Sequence, residues 1–214
     1  MAVNSVPVFP LGTVLFPGTP IHLHIFEPRY QRMTKRILSE KCGFVVSLIE
    51  SGQEALSSLA QPSLVGTMAA IEDYEMLKAG RMNLTGAGLE RVRLSSLHEH
   101  PDGYLEALAE PFPFPDAHST EMREASALLR HTAAEYFEIL RTIKQTASFE
   151  LPAAGAGLIF LCAAVLPVPV TERQGFLEAS SLAFLARDLR ERYAHYIHLM
   201  QAGQMKMAAS AHLN

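Results

Sequence analysis

Residues 21–30, Ile-His-Leu-His-Ile-Phe-Glu-Pro-Arg-Tyr, join a strand pattern directly to a helix start. Apolar and polar side chains alternate with period two over residues 21–26, as in a strand with one buried face. Pro28 then stands where a first helical residue is favoured, and Glu27 before it faces the positive end of the helix. The stretch therefore predicts a half-buried strand followed by one helix, which Gly43 ends.

The rest of the first half has the pattern of short strands separated by turns. Predicted strands occupy residues 43–49, 65–71, 81–85, 89–94 and 104–108, with glycine-containing turns at 78–80, 86–88 and 101–103. Such a series indicates a β-barrel or a β-sandwich. The segment Pro111-Phe-Pro-Phe-Pro115 marks the end of the sheet, because its prolines enforce an extended chain without ladder donors.

Beyond residue 115 the apolar period becomes 3.6. A stripe from Met122 to Ile143 predicts a first helix, and residues 153–166 predict a second, very apolar one. Thr171 and Gln174 have capping-box spacing and open a helix predicted to continue to Ile197. The sequence therefore predicts an α+β protein with two domains, residues 1–115 and residues 116–214.

The composition excludes several classes of protein. A net charge of -4 disfavours nucleic acid as a partner, because phosphate binding needs clustered Lys and Arg. Cys42 and Cys162 lie far apart, which indicates buried thiols in a reducing compartment. The amino terminus lacks a basic region before its apolar residues, so a cytoplasmic protein is expected. Prolines confine the uncharged stretch 151–170 to a core helix, and no membrane partner is expected.

Two blocks, Val8-Phe-Pro-Leu-Gly-Thr-Val-Leu-Phe-Pro-Gly18 and Leu23-His-Ile-Phe-Glu-Pro-Arg-Tyr30, resemble the opening of the Lon protease amino-terminal domain family. Similar pieces follow through the first hundred residues, and weaker ones in the helical half. The resemblance implies a PUA-like β pseudo-barrel with one inserted helix, followed by a C-terminal α-helical bundle. It also implies structural roles for a set of signature residues: Pro10, Leu11, Phe16, Pro17, Gly18, Phe26, Glu27, Pro28, Arg29, Tyr30, Gly66, Gly88 and Arg91.

The same resemblance implies a function. In full-length proteases of this family, the domain helps to recognise damaged or unfolded chains and supports assembly of the ring. This sequence has no G-x-x-x-x-G-K-[ST] loop and no length for a peptidase domain, so we expect a stand-alone, non-catalytic module without a cofactor. The expected partner is an unfolded polypeptide or a specific protein. Two alternatives stay open, an RNA-binding PUA-like protein and a scaffold that forms homo-oligomers.

Four aromatic residues are candidates for contact with a bound peptide: Phe112, Phe114, Phe16 and Tyr30. Prolines hold Phe112 and Phe114 extended where the two halves meet, so this pair either wedges the halves together or lines a cleft. For Phe16 the alternative is a structural role in a strand and turn.

Other candidate sites are weaker. His22 and His24 share a strand face but lack a spaced third ligand, so no metal site is predicted. Glu27 and Arg29 are predicted to form an ion pair at the helix start. No G-x-S-x-G or H-E-x-x-H motif occurs, and no catalytic residue is predicted.

Overall fold

A computed structural model describes residues 5–51, 61–144 and 150–211 of the 214-residue chain. The chain forms two compact units. The first contains the described residues up to Pro113 together with Pro167–Glu178. The second contains Phe114–Leu166 and the chain from Ala179 onward. The two-domain division at residue 115 stays a prediction.

The chain alternates strands and one helix in its first half and is helical afterwards. The strands are β1 Ser5–Leu11, β2 Pro20–Ile25, β3 Phe44–Ser51, β4 Gln61–Pro62, β5 Val65–Met76, β6 Met82–Glu99 and β7 Leu105–Pro111. The helices are α1 Pro28–Glu40, α2 Thr120–Lys144, α3 Ala156–Val165, α4 Val170–Glu178 and α5 Leu182–Ala211. A β-sheet unit with one inserted helix and a C-terminal helical part confirms the predicted α+β class.

The strands of the first unit close into a ring. β1 pairs with β7, β7 with β6, β6 with β5, β5 with β3, and β3 returns to β1. Only the β1–β3 pair is parallel within this ring. The strand pairing therefore gives a barrel rather than a sandwich. β2 is not part of this ring. It pairs with the first part of β6, from Pro20↔Ala87 to Ile25↔Met82.

β6 is a single strand of 18 residues, where the sequence predicted two strands and a turn at residues 86–88. That prediction was wrong because the glycines serve close packing within the strand. A Cβ on Gly88 would lie 2.5 Å from the Phe16 carbonyl oxygen, and one on Gly86 would lie 2.7 Å from that of Ala70. Both positions thus need glycine for space, and no turn is required.

Helix α1 covers one face of the barrel strands. Pro28 is at its start, and Lys41 ends it in a left-handed conformation, with φ of 53°. Its buried face contains Tyr30, Met33 and Ile37, which pack with Phe9, Ile25 and Phe44 among others. Each such side chain contributes about 1.5–3 kcal/mol on full burial. Val8, Val45 and Val92 belong to a second core cluster. On β1 and β3, Val8 and Val45 alternate with the first-cluster residues Phe9 and Phe44.

Helix α4 returns to the barrel and is held there by polar contacts. The Gln174 side-chain amide lies 3.0 Å from the Val65 carbonyl oxygen and 2.9 Å from Ser63 Oγ. Ser63 Oγ in turn donates to Glu178 Oε1 at 2.9 Å. Arg91, from β6, donates to the Leu177 carbonyl oxygen at 2.9 Å. The helix therefore completes the barrel unit although it lies far along the chain.

The second unit is built on helices α2, α3 and α5. Leu129, Leu158, Leu189 and Tyr193 are fully buried. The Tyr193 hydroxyl donates to the Cys162 carbonyl oxygen at 2.9 Å. Burial raises the pKa of the Cys162 thiol to about 12, so it behaves as a small apolar side chain. Among the described residues, no helix has both the length and the apolar character to cross a membrane.

The long helix predicted from Thr171 to Ile197 is interrupted at residues 179–181, so this prediction was wrong. Asp116 and Ser181 supply the reason. Asp116 accepts the N–H groups of Leu182 and Ala183, each at 2.9 Å, and the Ser181 hydroxyl at 2.7 Å. Ser181 Oγ also accepts the Phe184 N–H at 3.1 Å. A second helix start therefore lies inside the periodic stretch, capped by a residue distant in sequence.

Candidate functional site

An open groove lies between the end of β1 and strand β2. Its volume is about 260 Å3. The lining comes from the end of β1, from β2 and from the start of α1: Phe9, Pro10, Leu11, His22, Leu23, His24, Ile25, Phe26, Glu27 and Tyr30. Five of the signature residues, Pro10, Leu11, Phe26, Glu27 and Tyr30, thus meet at one surface feature.

The floor of the groove is apolar and already packed. The rings of Phe9 and Tyr30 meet edge to face, with centroids 4.2 Å apart and an interplanar angle of 87°. Both side chains are almost fully buried, and so is Ile25. An aromatic pair of this kind is stabilised beyond its buried area by about 0.5–1.5 kcal/mol. The floor therefore needs no rearrangement before an apolar group is placed on it.

The rim of the groove carries an exposed aromatic ring. Phe26 is 60% exposed and stacks on His24 at a centroid distance of 6.0 Å. Its backbone is fixed because the Gln31 side-chain amide donates to its carbonyl oxygen at 2.9 Å. A large apolar side chain held at the edge of an apolar groove is a ready contact surface for a partner.

Glu27, which lines the groove, forms an ion pair. Arg29 Nη2 lies 2.8 Å from Glu27 Oε2, and both side chains are largely buried. The Arg29 guanidinium also lies over the Tyr30 ring, 4.4 Å from its centroid. These contacts orient the first turn of α1 and hold Tyr30 beneath the groove.

The histidines of β2 are tied to the neighbouring strand. His24 Nδ1 lies 2.8 Å from Asn83 Oδ1, and His22 Nδ1 lies 3.2 Å from Thr85 Oγ1. Over the described ranges, no three His, Cys, Asp or Glu side chains are placed to hold a metal ion together. The imidazoles therefore form a polar flank beside the apolar floor.

The other three peptide-binding candidates lie away from the groove. Phe16 has no exposed surface. Phe112 belongs to the barrel unit and lies between two guanidinium groups, 4.1 Å from Arg91 and 4.0 Å from Arg93. Phe114 belongs to the helical unit, where it is 7% exposed and packs on Phe160. Of the four candidates, only Tyr30 lines the groove.

Several remaining signature residues support the barrel. Gly18 has φ of 76°, which favours glycine, and its N–H donates to the Gly88 carbonyl oxygen at 2.8 Å. A Cβ on Gly66 would lie 2.6 Å from the Val46 carbonyl oxygen. Pro17 lies in the turn between β1 and β2. Gly18 thus ties the β1–β2 turn to β6, and Gly66 allows the close approach of β5 to β3.

Arg91 links β6 to two separate segments. It donates to the Phe112 carbonyl oxygen at 2.6 Å and to the Leu177 carbonyl oxygen at 2.9 Å. Burial, and then repulsion from Arg93, lowers the pKa of Arg91 to about 10. The side chain stays charged at neutral pH, and its role is to satisfy buried carbonyl groups.

The exposed ring of Phe26 was missed by sequence reasoning, although a signal was available. Ile21 and Ile25 face the core, so the period of two places His22, His24 and Phe26 on the outer side. An aromatic residue in phase with two histidines is expected to be exposed, but it was interpreted only as a family signature.

These features define an α+β barrel domain with an open, largely apolar groove beside one strand. Residues 5–201 match the family described as the ATP-dependent protease La (LON) substrate-binding domain. The chain therefore belongs to the Lon substrate-binding domain family, in agreement with the motif blocks between residues 8 and 30.

Individual relatives agree with this assignment. Lon protease 1 of Bdellovibrio bacteriovorus is 25% identical over 195 residues, which cover 87% of this chain and 24% of that protein. The chain thus spans about a quarter of the length of this relative.

Two solved structures share the fold. A Lon N-terminal domain protein from Xanthomonas campestris has a TM-score of 0.64 and 24% identity, covering 87% of this chain and 97% of its own. The N-terminal domain of Mycobacterium avium complex Lon protease has a TM-score of 0.65 and 14% identity, covering 89% and 98%. These similarities concern the fold alone.

Proposed function

We propose that this domain is a non-catalytic module that binds extended apolar segments of unfolded polypeptide in the groove between β1 and β2. The observation that carries the proposal is the exposed ring of Phe26 above the packed apolar floor of Phe9 and Tyr30. A folded protein hides its apolar side chains, whereas an unfolded chain offers them in extended form. The groove therefore favours unfolded chains, because its ligand must present apolar side chains from an extended backbone.

The size of the groove limits the affinity. A volume of about 260 Å3 accommodates two or three apolar side chains of a ligand. Their burial contributes about 1.5–3 kcal/mol each, against an association cost of about 4 kcal/mol or more. The most favourable combination leaves about 5 kcal/mol, so we expect a dissociation constant of about 0.2 mM or weaker for one segment. Weak, reversible capture suits a module that meets many different chains.

The biological setting is part of the proposal. The family description names a substrate-binding domain, and we infer that the bound chains are substrates for ATP-dependent proteolysis. A cytoplasmic location is consistent with Cys42 and Cys162, which are both free. The proposal assigns no catalytic residue and no cofactor to the domain.

The test compares the affinity for an unfolded chain with that for its native form. A reduced, carboxymethylated model protein and the same protein in its native form are labelled and titrated by fluorescence anisotropy. We expect binding of the unfolded form only, and about tenfold weaker binding by Phe26→Ala, because one exposed ring is lost from the contact. Phe184→Ala is the matched control, since Phe184 is also exposed, at 66%, but belongs to the helical unit.

Equal affinity for native and unfolded chains would contradict the proposed preference. If Phe184→Ala weakens binding and Phe26→Ala does not, the groove is not the binding site.

A further inference from the structure

Strand β2 has a partner on one side only. It pairs with β6, and over the described residues it pairs with no other strand. The end of β1 faces it across the groove, and the described residues show no pairing between β1 and β2. The last β1 residue in register with β7 is Val8, so among the described residues the strand partner of residues 9–11 lies on the β3 side only. The groove is therefore bordered by two strand edges.

Two backbone hydrogen bonds determine which peptide groups of β6 face β2. At the β5–β6 hairpin, the Leu77 N–H donates to the Arg81 carbonyl oxygen at 2.8 Å, so Arg81 faces β5 and Met82 faces the opposite edge. At the other end, the Gly88 N–H donates to the Thr19 carbonyl oxygen at 3.0 Å, so Gly88 also faces the edge where β2 lies. Both ends of this stretch give the same phase, so the peptide groups of every second residue from Met82 to Gly88 face β2.

The register then assigns the peptide groups of β2. Ile21, Leu23 and Ile25 pair with the residues of β6 that face them, and they exchange hydrogen bonds with β6. The N–H and C=O groups of His22 and His24 consequently point away from β6, toward the groove. In the part of the chain that the structure describes, these four peptide groups have no backbone partner.

The opposite wall is a poorer template for pairing. Pro10, on β1, has no N–H, and proline at a strand edge prevents regular strand addition. Pro10 and Leu11 instead offer apolar surface to the groove. The β2 wall thus provides backbone hydrogen bonds, and the β1 wall provides apolar contact. An extended chain with alternating apolar and polar side chains can use both walls.

We infer that a bound polypeptide segment adds to β2 as a further strand, with its backbone paired to the N–H and C=O groups of His22 and His24. This inference rests on the proposed function and specifies its mode of binding. β2 has six residues, so the segment is about six residues long, about 20 Å when extended. Every second side chain of the segment points to the floor of Phe9 and Tyr30. Backbone pairing makes the site tolerant of sequence, because it requires only extended chain with alternate apolar residues.

The first test places single N-methyl groups along a ligand. The probe is a fluorescein-labelled peptide of about ten residues with alternating apolar and polar side chains, which is long enough to span β2. In an added strand only alternate N–H groups face the protein. We expect N-methylation to weaken binding about tenfold at every second position and little in between. A peptide that binds but shows no such alternation would overturn the inference and leave the proposed function intact.

The second test changes the edge itself. His24→Pro removes the outward N–H while keeping the β6 ladder, because the lost donor faces the groove. His24→Ala removes the side chain and keeps the donor, and is the matched control. Both variants lack the imidazole and differ in the backbone donor, so we expect peptide binding about tenfold weaker for His24→Pro than for His24→Ala. Equal affinities of two folded variants would overturn the inference.

Thermal unfolding establishes that each variant is folded. If His24→Pro does not fold, the N-methyl series decides alone. Failure of the unmodified peptide, and of the unfolded model protein, to bind the unaltered domain would contradict the proposed function itself.

Discussion

The two halves of β6 differ in what lies beside them. From Val92 to Glu99, β6 pairs with β7, and β7 is backed in turn by β1. From Met82 to Ala87, β6 pairs with β2, whose outer edge borders the groove. The Val92–Glu99 part, which we call the closed half, pairs with β7 in the barrel ring. Beside the Met82–Ala87 part, which we call the open half, strand β2 exposes backbone groups and is followed by the exposed Phe26. One strand therefore takes part both in closing the barrel and in bordering the groove.

The largest effect is expected at Arg91, which directly precedes the part of β6 that pairs with β7. Arg91→Leu removes a buried guanidinium and leaves the carbonyl groups of Phe112 and Leu177 without their donor. We expect a loss of about 2–4 kcal/mol in the free energy of unfolding, measured by urea denaturation. The control is Arg93→Ala, because Arg93 stacks on Phe112 but is exposed. It should lose about 0.5–1 kcal/mol. Equal losses of unfolding free energy in the two variants would contradict the role assigned to the buried hydrogen bonds of Arg91.

The middle of β6 gives the next effect. In Gly88→Ala the new Cβ meets the Phe16 carbonyl oxygen at 2.5 Å, a backbone atom that cannot move alone. We expect destabilisation of about 2 kcal/mol, measured as a lower thermal midpoint. Gly157→Ala in α3 is the matched control, since its Cβ meets nothing within 4 Å and the residue is helical. A gain of about 0.5–1 kcal/mol is expected there. A neutral Gly88→Ala would contradict the close approach of β6 to the β1–β2 turn.

The helical unit supplies a comparison outside β6. Burial acts to raise the pKa of Asp116, but the hydrogen bonds from Ala183, Ser181 and Leu182 outweigh it and hold the pKa below its ordinary value. A depressed pKa in the folded state stabilises the protein above the unfolded-state pKa, and this contribution is lost as the pH falls through the folded-state pKa.

Asp116→Asn should therefore cost about 1 kcal/mol at neutral pH and less in acid. The measurement is the free energy of unfolding as a function of pH, compared with the unaltered protein. A constant difference down to strongly acidic pH would contradict the assigned cap.

The sequence predicted the elements whose signals are local. The alternation in residues 21–26 gave β2, and Pro28 gave the start of α1. The two errors have a common cause, because both depend on contacts between distant residues. Gly86 and Gly88 imitate a turn, and only the nearby Ala70 and Phe16 carbonyls reveal the packed strand.

The break before α5 shows the same limit. It depends on Asp116, which lies 65 residues before Ser181 in the chain. Among the candidate site residues, Tyr30 lines the groove, whereas Phe16 and Phe114 are buried. Residue type and spacing identify an aromatic side chain as a candidate contact residue. Whether that side chain is exposed depends on packing, which is known only once the strands are paired.

The smallest effect on stability is expected in the open half. Asn83→Ala removes exposed contacts to His24 Nδ1 at 2.8 Å and Glu75 Oε2 at 3.2 Å. Because these groups are solvated, the free energy of unfolding should change by less than about 0.5 kcal/mol. The measurement is the free energy of unfolding from urea denaturation, made in parallel on Asn83→Ala and Arg91→Leu. A loss as large as that of Arg91→Leu would mean that the exposed contacts of Asn83 stabilise the fold as strongly as the buried contacts of Arg91.

The most direct test of peptide capture at the groove is a titration of the 15N-labelled protein with the alternating apolar peptide, followed by amide chemical shifts. We expect the largest shift changes at residues 22–27 and at Tyr30, and small changes along β7 and in the helical unit. Changes concentrated in the helical unit, or along the β7 half of β6, would contradict it.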